Sequence, residues 1–198
     1  MRTNSLLLLL TCFCLGLGTG CSEDNNGCDL PEDRRLKAET LNAIPHTDAQ
    51  IVTYTVSDGT ELRMIFRGGI NEATELNGCN EQFIMEFSGS SPSQELSGAI
   101  DAYPSGFGPT DIFYVFNIPT ASDHRLIVEL LPDGRITAGR NANARVIAEY
   151  EREGEIYFNV LEQNYNNPNP GELKKVYYNT DLGLLGVDLV GGFSMWRR

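Results

Sequence analysis

The sequence predicts an all-β fold: one short N-terminal helix ahead of an antiparallel meander that closes as a β-sandwich or an up-and-down barrel. Three observations predict it. From residue 50 onward, apolar residues recur at every second position. About ten such runs follow one another at regular spacing, the signature of sandwiches and barrels. Turn-forming residues separate them, among them Ser57-Asp58-Gly59-Thr60, Pro132-Asp133-Gly134, Glu153-Gly154 and Gly191-Gly192. Such tight hairpins favour a meander over long crossovers.

The helix is expected over residues 31–44, where Leu36, Leu41 and Ile44 stand among charges. Asp29 fits its N-cap, with Pro31 in the first turn and Glu32 three residues after the cap, and Pro45 ends it. Ile51 to Val56 and Glu61 to Phe66 form the first hairpin, and Glu81 to Phe87 reads as the next strand. Residues 91–103 support two readings. Leu96, Ala99, Ile100 and Tyr103 have helical spacing behind a Ser91 cap, while Leu96, Gly98, Ile100 and Ala102 alternate as in a strand. Gly98 costs a helix roughly 1 kcal/mol relative to alanine, which tips the balance slightly to strand.

Ile112 to Ile118 is nearly all apolar and reads as a strand covered on both faces. Arg125 to Leu131 and Arg135 to Gly139 flank the second hairpin turn. Arg145 to Arg152 and Glu155 to Glu162 flank the third, in a register that sets Tyr150 opposite Tyr157. Residues 163–172, rich in Asn and Pro, are an exposed loop. Leu173 to Tyr178, Gly183 to Leu189 and Phe193 to Trp196 complete the strands, with Trp196 as an aromatic plug.

The N-terminus carries a different message. Arg2 precedes an apolar run that opens with Leu6-Leu7-Leu8-Leu9-Leu10 and reaches Leu17, and small residues follow it. That is the layout of a secretory signal, and the run is too short for a helix across a bilayer core of ~30 Å. Gly18-Thr19-Gly20 then meets Cys21, and this segment resembles a bacterial lipoprotein signal. Gly18 stands where that family prefers Leu, and Cys12 and Cys14 fit less well because Thr11 and Phe13 precede them. The resemblance implies cleavage after residue 20, lipidation of Cys21 and an outer-membrane anchor. Ser22-Glu23-Asp24-Asn25-Asn26 resembles the surface-export signal of Bacteroidota lipoproteins, and reads equally as a plain acidic tether. The run from Val176 to Gly186, with Trp196, is similar to the ends of Bacteroidota envelope lipoproteins that mostly lack an assigned activity. The expected division is therefore signal 1–20, lipidated Cys21 and polar tether 21–30, and one domain over 31–198.

Charge and cysteines fit that division. The formal net charge is −12, and loss of Arg2 with the signal takes it to −13. That excludes a basic nucleic-acid binder and disfavours anionic headgroups. Two of the five cysteines leave with the signal and Cys21 takes lipid, so Cys28 and Cys79 remain for a disulfide in an oxidising compartment. It would close a loop of about 52 residues and contribute on the order of 4 kcal/mol. Two buried thiols are the alternative.

The sequence predicts no catalytic constellation. His46 and His124 stand far apart, at solvated loop or strand-start positions, and no H-E-x-x-H or Gly-x-Ser-x-Gly occurs. Gly68-Gly69-Ile70 lacks the lysine of a phosphate cradle, and Asn179 to Gly183 lacks the closing acid of a calcium loop. Glu149, Glu151, Glu153 and Glu155 read as a solvated acidic edge that discourages aggregation. No cofactor or metal is expected. Tyr165 in the Asn/Pro loop, and Tyr103 and Phe107 around a Gly/Pro turn, are candidates for contact with a surface glycan or protein partner. The expected function is thus a lipid-anchored, non-catalytic binding module at the cell surface. The alternatives are a lipocalin-like carrier whose barrel mouth is lined by Ile112 to Ile118, and, behind it, a hydrolase.

Overall fold

A computed structural model describes residues 30, 32–71, 80–104, 110–117, 124–139 and 141–198. Cys21, Cys28, Cys79, Asp29, Pro31, Phe107 and Ile118 lie outside the described residues. Twelve strands are described: β1 (Ile51–Val56), β2 (Glu61–Asn71), β3 (Gln82–Ser90), β4 (Glu95–Ala102), β5 (Thr110–Phe116), β6 (Arg125–Leu130), β7 (Ile136–Thr137), β8 (Ala144–Arg152), β9 (Glu155–Asn164), β10 (Leu173–Asn179), β11 (Gly183–Leu189) and β12 (Ser194–Arg197). They form one sheet in the order β7-β6-β5-β4-β3-β2-β1-β12-β11-β10-β9-β8. Sequence neighbours are spatial neighbours throughout, and β12 returns to pair antiparallel with β1. The two ends of the sheet meet, so the meander is a nearly closed up-and-down barrel rather than a sandwich.

Alternation builds the interior. Val52, Tyr54 and Val56 point inward from β1, and Leu62, Met64 and Phe66 from β2. Met85 and Phe87 follow from β3, Ile112, Tyr114 and Phe116 from β5, and Val176 and Tyr178 from β10. Each such side chain stabilises the fold by roughly 1.5–3 kcal/mol through burial. Phe66, Phe87 and Phe116 form a chain of ring contacts at 5.9 and 5.5 Å, and Tyr114 meets Tyr178 at 5.4 Å. Side chains therefore occupy the middle of the barrel. The Tyr54 hydroxyl donates to the Leu184 carbonyl at 3.0 Å, and the Tyr178 hydroxyl to the Ala43 carbonyl. The Tyr114 hydroxyl is buried and has no partner among the described residues. Burial, first of all, raises the pKa of all three phenols.

Several expectations are corrected. The single helix over 31–44 is split into a 3₁₀ turn, Glu32–Arg34, and a five-residue helix, α1 (Ala38–Asn42), whose N-cap is Lys37 rather than Asp29. A tertiary contact explains the break: the Leu36 N–H donates to the Glu81 carboxylate at 2.6 Å, and Glu81 N–H to the Arg34 carbonyl at 2.9 Å. Chain between the two turns is thereby recruited to the start of β3, and Leu36 is buried in the core. Residues 95–102 are strand, the reading that the sequence slightly favoured. Gly98 lies in register opposite Phe87, whose ring occupies the space a Cβ would need. The glycine that weakens a helix here admits an aromatic across the strands. On β5, Ile112, Tyr114 and Phe116 are buried, while Phe113 and Val115 are half-exposed, so the strand is not covered on both faces.

His46 and His124 are buried, not solvated. His46 stacks on Phe66 with centroids 3.9 Å apart, and its Nδ1 is 3.2 Å from Gln50 Oε1. Burial lowers its pKa to about 4, against the opposing effect of the Gln50 hydrogen bond. Trp196 does not plug the barrel. It lies on the outer face, in a second cluster with Val160, Tyr177 and Leu185.

Candidate functional site

The site follows from how the barrel closes. β7 is only two residues long, so β6 lacks a full strand neighbour on its outer edge. The facing strand is β9, and it supplies a side chain instead. The Ile127 N–H donates to Gln163 Oε1 at 3.2 Å, and Gln163 Nε2 donates to the Arg125 carbonyl at 2.6 Å. One carboxamide thus bonds both an N–H and a C=O of β6, as a ladder partner would. The Tyr165 hydroxyl donates to the same Arg125 carbonyl at 2.9 Å.

Outside this seam is a cleft of about 470 Å³. Asn141, Asn143, Asn164 and Asn166 line it, with Gln163 and Ile127 against the seam. These amides are held by one another and by the backbone. Asn143 N–H donates to Asn141 Oδ1 at 3.0 Å, and Asn166 Nδ2 to Asn143 Oδ1 at 3.2 Å. Asn164 N–H donates to the Asn143 carbonyl at 2.9 Å. On the far wall, Asp111 and Glu129 stand directly opposite each other in the β5–β6 register. Beside the cleft, Glu162 accepts from Arg145 at 2.9 Å and from Lys175 at 3.3 Å. Burial pushes the Glu162 carboxyl up, but hydrogen bonds from Asn164 and Arg145 and the Lys175 charge outweigh it, so its pKa ends below the ordinary value. A second cleft, of about 580 Å³, adjoins the first at Asn164 and Tyr165 and includes Lys175 and Phe193.

Chemically, the first cleft offers neutral amides with both donors and acceptors, flanked by the carboxylates of Asp111 and Glu129, by Arg125, and by the apolar Ile127 and Ala138. A polyhydroxylated ligand needs that mixture, since each hydroxyl both donates and accepts. Among the described residues no group of three His, Cys, Asp or Glu is placed to hold a metal.

The tyrosine candidates are separated. Tyr165 lies at the junction of the two clefts, but it is half-buried and packs on the core rather than standing free in an exposed loop. Tyr103 is 43% exposed and its hydroxyl accepts from Gln82 Nε2 at 2.7 Å; it does not line the seam cleft. Sequence reasoning missed Gln163 and the asparagines at 141 and 143. The dense Asn and Gln content of 141–143 and 163–166 was the available signal.

Comparison with known proteins found no match among protein-family models, curated proteins or solved structures.

Proposed function

We propose that the protein is an exported lipoprotein, anchored to the outer membrane through Cys21, whose barrel serves as a non-catalytic binding module for a polyhydroxylated glycan in the seam cleft. One observation carries the binding reading: the amides of Asn141, Asn143, Asn164 and Asn166 converge on a preformed cleft and fix one another there. Preorganised polar groups beside an apolar contact are what a small, specific site uses. The anchoring part rests on the signal and cysteine pattern of residues 1–26. The barrel-like fold is compatible with the carrier alternative, but fully buried Tyr114, Ile112, Phe66 and Met85 occupy the space where a carried ligand would sit. Binding at the outside is therefore the reading we prefer. The proposed disulfide between Cys28 and Cys79 rests on the cysteine count of the sequence alone.

The test is a glycan array probed with the mature chain carrying Cys21→Ser. Binding to neutral or uronic polysaccharides that falls at least tenfold in an Asn143→Ala, Asn166→Ala double variant, with the fold intact, supports the reading. Binding that ignores these substitutions, or no binding to any glycan, overturns it.

A further inference from the structure

The β8–β9 hairpin carries features that the glycan reading leaves unused. Its inner side is fixed to the barrel. Trp196 meets Tyr150 at 5.5 Å, Tyr157 at 5.5 Å and Tyr177 at 5.0 Å, while the Arg152 guanidinium stands 4.5 Å over the indole. Arg152 Nη2 also donates to Ser194 Oγ at 2.8 Å. Tyr157 and Val160, three residues apart, both join this cluster. Strict alternation forbids that spacing, and Asn159, with a left-handed φ of 52°, lies between them. The break turns Ile156 and Phe158 to solvent, where they are 56% and 55% exposed. Opposite them in register stand Glu151 and Glu149, which are exposed as well.

Among the described residues no strand pairs with the edge beside these residues. β8 pairs with β9 on one side and ends the sheet on the other. Exposed apolar pairs and open strand edges are costs that a soluble domain normally avoids. We propose that the β8 edge from Ile147 to Arg152 is a docking site for an extended segment of another protein that alternates basic and apolar residues. Charge complementarity selects that partner. An added strand places its outward side chains beside Glu149 and Glu151, where Lys or Arg form favourable cross-strand pairs. Their long aliphatic stems reach across to Phe158 and Ile156. Its inward side chains meet the rim of Tyr150. The same carboxylates discourage the pairing of β8 with β8 of a second copy, since like charges would face each other. They also repel an anionic membrane surface.

The experiment uses the mature chain with Cys21→Ser and a ten-residue peptide alternating arginine and valine. Hydrogen exchange should show protection confined to the amides of 147–152 on binding. Affinity should fall at least tenfold for Phe158→Ser and for the Glu149→Gln, Glu151→Gln double variant, and for a peptide alternating arginine and serine. Phe158→Ser alters an exposed side chain, and unchanged Trp196 emission verifies the fold. Absence of binding, protection spread over the acidic surface, equal binding by the arginine–serine peptide, or a dimer sealed through β8 in sedimentation would overturn the proposal. The glycan array reads another surface, so failure here and failure there are separable.

Discussion

The side-chain amide of Gln163 stands in for a β-strand against Ile127, accepting its N–H at 3.2 Å while donating to the Arg125 carbonyl two residues away at 2.6 Å. The barrel closes there through side chains, the buried Gln163 amide being joined by the Tyr165 hydroxyl on the same carbonyl. Gln163→Leu keeps the volume and removes both bonds, leaving the Ile127 N–H without its acceptor while the Arg125 carbonyl keeps the Tyr165 hydroxyl. The expected loss is about 1–3 kcal/mol for that one unpaired N–H, read as a lowered urea midpoint. Faster amide exchange at Ile127 should accompany it.

Tyr114 and Tyr54 should respond differently to the same substitution. The Tyr54 hydroxyl donates to Leu184, and Tyr54→Phe is expected to cost about 1 kcal/mol. The Tyr114 hydroxyl is buried without a described partner, so Tyr114→Phe is expected to be neutral or stabilising. Denaturation curves of the two variants decide this.

His46 should make the fold acid-sensitive above the range of ordinary carboxylates. Its pKa is about 4 in the folded chain and near 6.5 in the unfolded one. Between those values the unfolded chain binds more protons, so stability falls as pH drops from 6.5 towards 4. The full window corresponds to on the order of 3 kcal/mol. His46→Phe preserves the stack on Phe66 and removes the titration, so the difference in stability between variant and parent should change with pH in that window alone.

Trp196 reports on the hairpin. It is the one tryptophan of the chain and is 3% exposed, so its emission should be that of a buried indole. Tyr150→Ala uncovers it and should shift the emission to the red. Gly186 faces Trp196 across β11 and β12, and the indole fills the place of a Cβ. Gly186→Ala is expected to cost about 1–3 kcal/mol through overpacking.

Mass spectrometry of native material addresses the anchor and the disulfide together. The expected mature protein starts at Cys21, carries acyl chains, and is two hydrogens lighter before reduction than after it. A chain that retains Met1 and both free thiols would refute both expectations.

Most strand positions were legible because alternation and turns agree locally. Tyr150 stands opposite Tyr157 because Glu153-Gly154 sets the register, and both turn residues have positive φ. Ile51–Val56 and Gly183–Leu189 have the expected bounds. What was not legible depends on distant partners. Glu81 captures Leu36 and breaks the expected helix, 45 positions away in sequence. Phe66 covers His46, so a loop histidine becomes part of the core. Gln163 reads as a polar residue near a loop, and only the shortness of β7 gives its amide an edge to complete. Asn159 breaks the alternation of β9 without any glycine or proline to announce it.

The most direct test of binding at the seam is an NMR titration of the labelled mature chain with the glycan that the array selects. Shift changes centred on Asn141, Asn143, Asn164 and Asn166 are expected, with Tyr114 and Ile112 unmoved. Changes centred on Tyr114 and Ile112 inside the barrel, with the seam amides unmoved, would contradict it and favour a carrier.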